Sequence, residues 1–483
     1  MSFFFVFHIK NVEIFFAKVE RENMKKEELI PDVCTREDID RLYQVFTASG
    51  YQLYPVGGCV RDAVAGTAPH DYDLCTNAVP ARVIQILQDG QIPFHAPGID
   101  FGTVIADVRG NSYEITSFRS EREYTDGRHP GKIVFEKEIN KDLSRRDFTI
   151  NAMAYDLQSE TVIDPFNGIS DLQNGIIKCV GNPFERFQED GIRIVRALRF
   201  AIRYGADFDG KTAESIHENL GMLQNVSKER ILMEFRKILS MDKPVSRVFV
   251  EYADVITCLI PELKSCVRFN QNNRYHKHDV YEHLLAVTDL CQTTKFEIKM
   301  AALLHDIGKP DSYMEDENGH GHFYGHPAVS AEIAKGVLKT DFKGLKTEEY
   351  DRIVALVKTH DKSISSSRKS VKRFIAAHGA DFLDDWAVLK KADFDDHIFP
   401  SEPPKNWFTD IPEVLRISNE LVAEEACFSL KDLAVNGKDL MKELGLKPGK
   451  KIGAILQQML EAVINETVTN NRDELLSLAQ KII

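Results

Sequence analysis

Residues 54–76 read YPVGGCVRDAVAGTAPHDYDLCT, and the rest of the chain supplies what this stretch lacks. The apolar run Leu53 to Val56 ends at Gly57-Gly58. A short amphipathic run follows from Cys59 to Ala65, and Asp71 and Asp73 precede a helix-like segment from Val79. A strand, a Gly-Gly turn and a helix start present backbone N–H groups and a helix dipole to a phosphate. If Asp71-Tyr72-Asp73 is extended, both carboxylates point to one face of the strand. Paired carboxylates beside bound phosphates suit Mg²⁺, a hard cation that takes carboxylate and phosphate oxygens. Two such ions can clamp the attacking and leaving oxygens of a phosphoryl transfer. Gly-Gly alone is an ordinary turn, and Asp-x-Asp alone an ordinary solvated loop. Their order, with Arg61-Asp62 between them, is what carries chemistry.

Outward from there, residues 36–48 read as a helix with Ile39, Leu42, Val45 and Phe46 on one face, and residues 79–88 as another. Phe101 to Val108 and Tyr113 to Arg119 read as strands joined by a turn at Gly110-Asn111. These elements make a small α/β palm, a mixed sheet backed by helices. Glu114 falls on the second strand, where a third acid and a solvated strand residue are equally good readings. Residues 120–132, SEREYTDGRHPGK, read as a mobile polar loop. Leu143 to Ala154, LSRRDFTINAMA, sets two cations, a carboxylate and an amide around Phe148. Such groups can hold a triphosphate and bond a ribose. Glu189 to Phe200, EDGIRIVRALRF, spaces Asp190, Arg193, Arg196 and Arg199 at three-residue steps. Each step drifts about 60° round a helix, so these side chains sweep down one side while Ile194, Val195, Leu198 and Ala201 face the core. A carboxylate acceptor and guanidinium donors can meet the edge of a base with no nucleic-acid template.

The 54–76 stretch, RRDFTINA, the turn Asp164-Pro165-Phe166-Asn167-Gly168 and the EDGIR run together resemble the signature motifs of the nucleotidyltransferase superfamily. The branch they resemble is the bacterial-type (class II) one, which holds CCA-adding tRNA nucleotidyltransferases and bacterial poly(A) polymerases. The resemblance implies an α/β palm followed by mostly α-helical neck and tail domains. It implies that Gly58 and Arg61 contact the nucleotide and that Asp71 and Asp73 are catalytic and carry Mg²⁺. It further implies that Arg146 contacts the triphosphate, with Asp147 and Asn151 close to the sugar. Asp190 and Arg193 would read the base, with Arg196 and Arg199 further round the same side toward phosphate or ribose. In that family the position of residues 120–132 holds a flexible loop needed for the final A. Asp126, Arg128 and Pro130 therefore favour an enzyme that adds the whole CCA. Ser227 to Leu239 has the family's SxERI opening and reads as neck support.

From Tyr275 the composition changes: HKHDVYEHLLAV, AALLHDIGKP, GHFYGHPAVSAE, LVKTHD and KKADFDDH follow in order. His283, His305-Asp306 and Asp393 fall in or at the ends of helix-like apolar runs, where imidazole and carboxylate on neighbouring helices make a divalent-metal site. His326 and His360 offer ligands for a further ion. The ordered set resembles HD-type metal-dependent phosphohydrolase domains over about 275–396. That implies a second divalent metal of unknown identity, and in some relatives phosphodiesterase or phosphatase activity. Glu413 to Glu424 reads as a helix with Pro412 suited to its first turn. Lys438, Lys442, Lys447, Lys450 and Lys451 cluster around a Gly-bounded helix start at Lys450, an arrangement that can grip an RNA backbone. The NGxDLM…GLxPGxxIGxIL pattern is similar to the family's tRNA-binding C-terminal region, which implies Lys438, Lys450 and Lys451 as RNA contacts.

The 483 residues allow roughly three or four domains. The expected division is an N-terminal extension over 1–27, a catalytic head over 28–168, a nucleotide-selecting neck over 169–270, the HD-type domain over 271–396 and a tRNA-binding region over 397–483. The net charge of −13 excludes a generally basic coat and leaves room for a local basic groove. The 8 cysteines form no CxxC pair, which argues against a zinc ribbon. With no secretion signal they read as reduced thiols in a cytoplasmic protein. The apolar start MSFFFVFHIKNVEIFF is interrupted by His8, Lys10 and Glu13, so it cannot span a membrane. A fresh amphipathic start at Met24 makes residues 1–23 either an expected product of an upstream start codon or an expected poorly ordered extension; a native mass that includes Met1 to Asn23 would end the first reading.

The expected function is template-independent addition or repair of the 3′ CCA of tRNA. The RNA 3′-hydroxyl attacks the α-phosphate of CTP or ATP, and pyrophosphate leaves. The expected partners are the tRNA 3′ end, CTP and ATP, with no membrane and no protein partner. A bacterial poly(A) polymerase, or a specialist adding only CC or only A, is the nearest alternative. Phe101-Gly102-Thr103-Val104 resembles the GTV strand of the CCA-adding members. An HD phosphohydrolase that keeps the transferase part as a binding module is an alternative of another class. The intact set Gly58, Arg61, Asp71, Asp73, Arg146, Asp190 and Arg193 opposes it.

Overall fold

A computed structural model describes residues 33–69, 71–124, 130–399 and 409–483. The expected extension over 1–27, Asp126 and Arg128 of the polar loop, and the proline-rich stretch 400–408 lie outside them. The chain forms two compact units that divide between Ile238 and Leu239.

In the first unit, helix α1 (Val33–Ala48) buries Ile39, Leu42 and Phe46 completely. Strand β1 (Leu53–Pro55), helix α2 (Gly58–Val64), strand β2 (Asp73–Thr76) and helix α3 (Pro80–Asp89) follow. Pro80 opens α3 in the first turn, where its missing N–H costs nothing. Strands β3 (Phe94–His95), β4 (Thr103–Val108) and β5 (Asn111–Ser117) complete a sheet of order β1-β2-β5-β4-β3. The β2–β5 pair is parallel and the other pairs antiparallel, so the sheet is mixed, as expected. Alternation along β4 turns Val104, Ala106 and Val108 into the core.

Three local expectations are corrected. Phe101 and Gly102 stand before β4, because Ile99–Phe101 forms a 3₁₀ turn that ends in the left-handed Gly102 (φ 85°). The hairpin between β4 and β5 turns on Arg109 (φ 51°) and Gly110 (φ 87°), one residue earlier than read. Two consecutive left-handed residues match the twist of a two-residue hairpin. The polar stretch 120–132 is not all loop. Arg119–Tyr124 pairs antiparallel with Pro130–Phe135, from Arg119 opposite Phe135 to Tyr124 opposite Pro130. An antiparallel ribbon is made by backbone pairing, which a polar composition does not forbid.

Helix α4 (Ile192–Tyr204) buries Ile194, Val195, Leu198 and Ala201 and ends at left-handed Gly205. Helix α5 (Lys228–Leu239) follows. Gly191, just before α4, has no role in the sequence reading. A Cβ there would stand 2.5 Å from the backbone oxygen of Met222, so the helix start needs glycine for close approach. Gly191→Ala should therefore cost about 1–3 kcal/mol, read as a lower denaturant midpoint for this unit.

The second unit is helical. Helix α7 (Phe296–Leu304) packs against α6 (Val280–Leu290), α9 (Thr347–Thr359) and α10 (Ala380–Asp396) and buries Phe296, Ile298 and Met300 to Leu304. Helix α8 (His326–Thr340) packs on α9. Pro412 lies in the first turn of the helix Ile411–Ala423. Toward the C-terminus, α11 (Gly437–Leu444), α12 (Lys450–Ile464) and the helix Arg472–Ile482 enclose a core of their own, which includes Leu440, Ile455, Met459 and Leu475. Among the described residues no helix is long and apolar enough to cross a membrane.

Candidate active sites

The signature stretch folds as strand, turn and helix. Gly57 caps α2 with φ 74°. A Cβ on it would lie 2.6 Å from Arg146 Nη1, so the turn is bare backbone against that guanidinium. Asp142 sets Arg146 in place: its Oδ2 is 3.3 Å from Arg146 Nη2, and its Oδ1 is 2.8 Å from Arg145 Nη2. The spacing of Asp142, Arg145 and Arg146 on one helical turn could have been read from sequence.

Asp73 opens β2 and stands opposite Glu114 in the parallel β2–β5 register, with Asp71 two residues before it. The Asp73 carboxylate still reaches solvent, yet the protein crowding around it pushes its pKa up. Arg146 pulls it down and Asp71 pushes it up again. Glu114 is pushed up too, by desolvation, then by Asp73, then by Asp71. Asp73 and Glu114, each pushed up in part by its acidic neighbours, mark a cluster short of positive charge. Hard oxygen donors in that arrangement fit a divalent cation. The sequence left Glu114 open, and only the register brings it beside Asp73.

Arg61 is buried and fully engaged. It donates from Nε to Asp62 Oδ1 (3.0 Å) and to the Tyr204 hydroxyl (2.7 Å), and from Nη1 to Asn151 Oδ1. Its guanidinium also lies 4.9 Å from the Phe200 ring centre. Tyr204 donates to Asp62 Oδ1 (2.9 Å), and burial pushes the phenol up to about 12. Asp147 is likewise spoken for. Its Oδ1 accepts from Phe148 N and from Asn151 Nδ2, both at 2.9 Å, and its Oδ2 accepts from Arg196 Nη2 at 2.6 Å. Burial alone would push the Asp147 carboxyl up; Arg196 and the Asn151 amide outweigh it and hold it well below the usual range. Arg199 leaves the expected polar row. It is 8% exposed and pairs inward with Glu234. Arg193 pairs with Glu189, and Asp190 with Arg230.

In the second unit His283, His305, Asp306 and Asp393 come together, joined by His326 and His360. Each imidazole has its Nδ1 tied to an acceptor. His305 donates to Ala302 O (2.8 Å), His326 to Phe323 O (2.7 Å), His360 to Val357 O (2.7 Å) and His283 to Asp396 Oδ2 (2.8 Å). The Nε2 atoms are thereby aimed inward. Asp306 lies between two pairs: Oδ2 is 3.3 Å from His283 Nε2 and from His305 Nε2, while Oδ1 is 3.1 Å from His326 Nε2 and 3.2 Å from His360 Nε2. Asp306 Oδ1 is buried, and its two imidazole contacts lack hydrogen-bond geometry. His283, His305 and Asp393 form one group fit to hold a cation, and His305, Asp306 and His360 another. Burial opposes charge on His283, but Asp306, Asp393 and Asp396 outweigh it and push its pKa up to about 10. A divalent cation would answer the same acids and must displace those protons.

Sequence reading missed Asp396, Lys309 and His276. Asp396 lies one helical turn after Asp393 and orients His283 from behind. Lys309 Nζ is 2.6 Å from Asp306 Oδ2, 2.8 Å from Gln271 Oε1 and 3.1 Å from His276 Nε2. A cavity of 680 Å³ opens onto this group, with Arg274, Lys309, Tyr324 and Lys390 among its walls. Outer carboxylates of this kind are worth about 10–100-fold in metal affinity. Asp396→Asn should therefore weaken Mn²⁺ binding by about tenfold, measured by calorimetric titration of the metal-stripped protein.

Lys438, Lys450 and Lys451 are exposed at the starts of α11 and α12. The N–H groups of Lys438 and Asp439 are taken by the Asn436 side chain, whereas α12 starts at Gly449 with no side-chain cap.

Residues 53–178 match the poly A polymerase head domain, 205–264 the RNA and SrmB-binding site of polymerase A, 280–393 the HD domain, and 413–479 tRNA nucleotidyltransferase domain 2. The CCA-adding enzyme of Limosilactobacillus reuteri is 31% identical over 441 residues, 91% of this chain and 95% of that one. That of Lactiplantibacillus plantarum is 29% identical over 457 residues, with the same coverage of both chains. A crystal structure of the Bacillus stearothermophilus CCA-adding enzyme in complex with CTP superposes with TM-score 0.69 at 25% identity, covering 92% of this chain and 97% of that one. The Thermotoga maritima CCA-adding enzyme complexed with tRNA shares the fold, with TM-score 0.58 at 19% identity over 95% of this chain and 99% of that one.

Proposed function

The chain belongs to the CCA-adding enzyme family, and we propose that Asp71, Asp73 and Glu114 are the acid cluster at which its nucleotidyl transfer takes place. The activity is template-independent addition of CCA to the 3′ end of tRNA from CTP and ATP, with loss of pyrophosphate. The family's transfer depends on a divalent metal. The observation that carries the proposal is the register of Asp73 on Glu114, beside the turn at Gly57 and the guanidinium of Arg146.

A divalent cation on these acids, which we take to be Mg²⁺, supplies positive charge to the attacking and leaving oxygens. Arg146, held by Asp142, binds the triphosphate against the open backbone of Gly57 and Gly58. Asn151 lies at the sugar. Arg61 and Asp147 hold Asn151 from either side, Arg196 holds Asp147, and Arg199 is held by Glu234. Asp190 and Arg193 select the base. Cytosine and adenine both present an amino donor beside a ring-nitrogen acceptor, and a carboxylate with a guanidinium complements that edge. Uracil and guanine present a carbonyl where the amino group would be.

The head over 28–168, the neck over 169–270 and the RNA-binding tail over 397–483, with Lys438, Lys450 and Lys451 on phosphates, serve this reaction in the cytoplasm. Residues 271–396 hold divalent cations on His283, His305, Asp306, Asp393, His326 and His360 and hydrolyse a phosphate ester. Support for the latter is the inward convergence of four Nε2 atoms on the buried Asp306 carboxylate.

The test uses a tRNA transcript that ends at the discriminator base, with CTP alone, ATP alone, then both. Two additions with CTP and a clean stop at three with both are expected. A long ladder with ATP alone, or a stop at two with both present, would overturn the assignment.

A further inference from the structure

Helix α5 reads from sequence as support for the neck, but its third residue reaches the base-selecting carboxylate. Arg230 Nη1 donates to Asp190 Oδ1 at 3.1 Å, and Nη2 donates to Asp190 Oδ2 at 2.6 Å. Both oxygens are held by one planar fork, which fixes the plane and the rotamer of the carboxylate together. A single-point partner would leave the group free to rotate. Next to it, Gly191 is pressed against the Met222 backbone, so the main chain under Asp190 is fixed as well. The partner of Arg193, by contrast, is Glu189 from the preceding turn.

An ionised carboxylate has about four acceptor positions, and the fork occupies one on each oxygen. Oδ1 also accepts from the backbone N–H of Ile192 (3.4 Å), so the outer position on Oδ2 is the one left to an amino group. An acceptor fixed in direction rewards the amino edge of cytosine or adenine and penalises the carbonyl edge of uracil or guanine. An acceptor that can swing away loses the penalty, because it can avoid the carbonyl.

We propose that Arg230 is a positioning residue for nucleotide choice, and that its bidentate hold on Asp190 enforces the discrimination of CTP from UTP and of ATP from GTP. This rests on the reading of Asp190 and Arg193 as the base-selecting pair.

The test compares wild type, Arg230→Gln, Arg230→Lys and Asp190→Asn in single additions of CTP and UTP to a tRNA that lacks CCA. The quantity read is the ratio of kcat/KM for the two nucleotides. One well-made bidentate contact is worth tenfold or more in base discrimination. Arg230→Gln is expected to lower the ratio by about tenfold or more, with uridine entering the product. Arg230→Lys keeps the charge without the fork, and its ratio should fall in between. It also carries the test if the glutamine variant does not fold. Asp190→Asn should lower the ratio at least as far.

If Asp190→Asn leaves the ratio at the wild-type value, the base-selecting reading itself fails. If Asp190→Asn collapses the ratio while both Arg230 variants keep it, the reading stands and the role given to Arg230 is wrong. A loss of kcat/KM equal for CTP and UTP in the Arg230 variants also overturns the proposal, since a merely structural brace behaves that way.

Discussion

Replacing Asp73 with alanine is expected to lower CCA addition by about three orders of magnitude or more, and to leave the protein at least as stable as wild type. The rate loss follows from the charge that the acid cluster recruits. Cation stabilisation of the developing oxygens is worth several kcal/mol. Each 1.36 kcal/mol is tenfold in rate, so roughly 10³ is the lower end. The stability expectation follows from the sign of the shift. The Asp73 carboxyl is pushed up by crowding and by Asp71, which means that its charge is unfavourable in the metal-free fold. Removing it also relieves Glu114, which Asp73 pushes up. A gel at single-nucleotide resolution and a thermal melt check the two halves. Extension within tenfold of wild type would put the reaction elsewhere.

The second large effect belongs to the other unit. His305→Ala removes a residue common to both metal-competent groups. Retention of divalent metal after desalting should fall by at least about a hundredfold, since even outer partners of a ligand are worth 10–100-fold. The substitution also strips a cationic partner from Asp306 and Asp393, both deeply buried. Breaking a buried pair from one side costs about 3–5 kcal/mol. In the metal-free wild type, burial opposes charge on His305, but Asp306 and Asp393 push its pKa up to about 9. That contribution to stability is complete below the ordinary histidine value of 6.5 and is lost as pH rises through about 9. Metal-free wild type should therefore melt higher at pH 6 than at pH 10, and His305→Ala should flatten the difference. CCA addition by His305→Ala should stay within about twofold of wild type, because the acid cluster with Asp73 is built entirely in the first unit. Loss of addition together with loss of metal would tie the two chemistries into one centre.

The parts legible in sequence are those whose partners lie close by in the chain. The strand, Gly-Gly turn and helix of residues 53–64 follow from local pattern, and so does the burial of Ile194, Val195, Leu198 and Ala201 on one face of α4. The paired character of Arg199 was not legible, because Glu234 is 35 residues away and only tertiary packing brings it near. The engagement of Asp147 by Arg196 spans 49 residues, and that of Asp190 by Arg230 spans 40. A helix wheel shows which side a residue faces; it does not show whether that side meets solvent or another helix. Glu114 depended on sheet register, which periodicity leaves open until the neighbouring strand is known. Asp396 was hidden for another reason: it stands beside Asp395, and only the phase of α10 sends one inward to His283 and leaves the other at the surface. The ribbon of Arg119–Tyr124 with Pro130–Phe135 has no apolar alternation to betray it.

The most direct test of the central claim is a crystal of the protein grown with CTP and Mn²⁺, with anomalous scattering recorded at the manganese edge. Mn²⁺ takes the oxygen ligands that Mg²⁺ takes. Manganese is expected on the carboxylates of Asp71 and Asp73, with the CTP triphosphate beside Gly57 and Arg146. Separate peaks are expected among His283, His305, Asp306 and Asp393. CTP bound away from Gly57 and Arg146, with no manganese on Asp71 or Asp73, would contradict the claim.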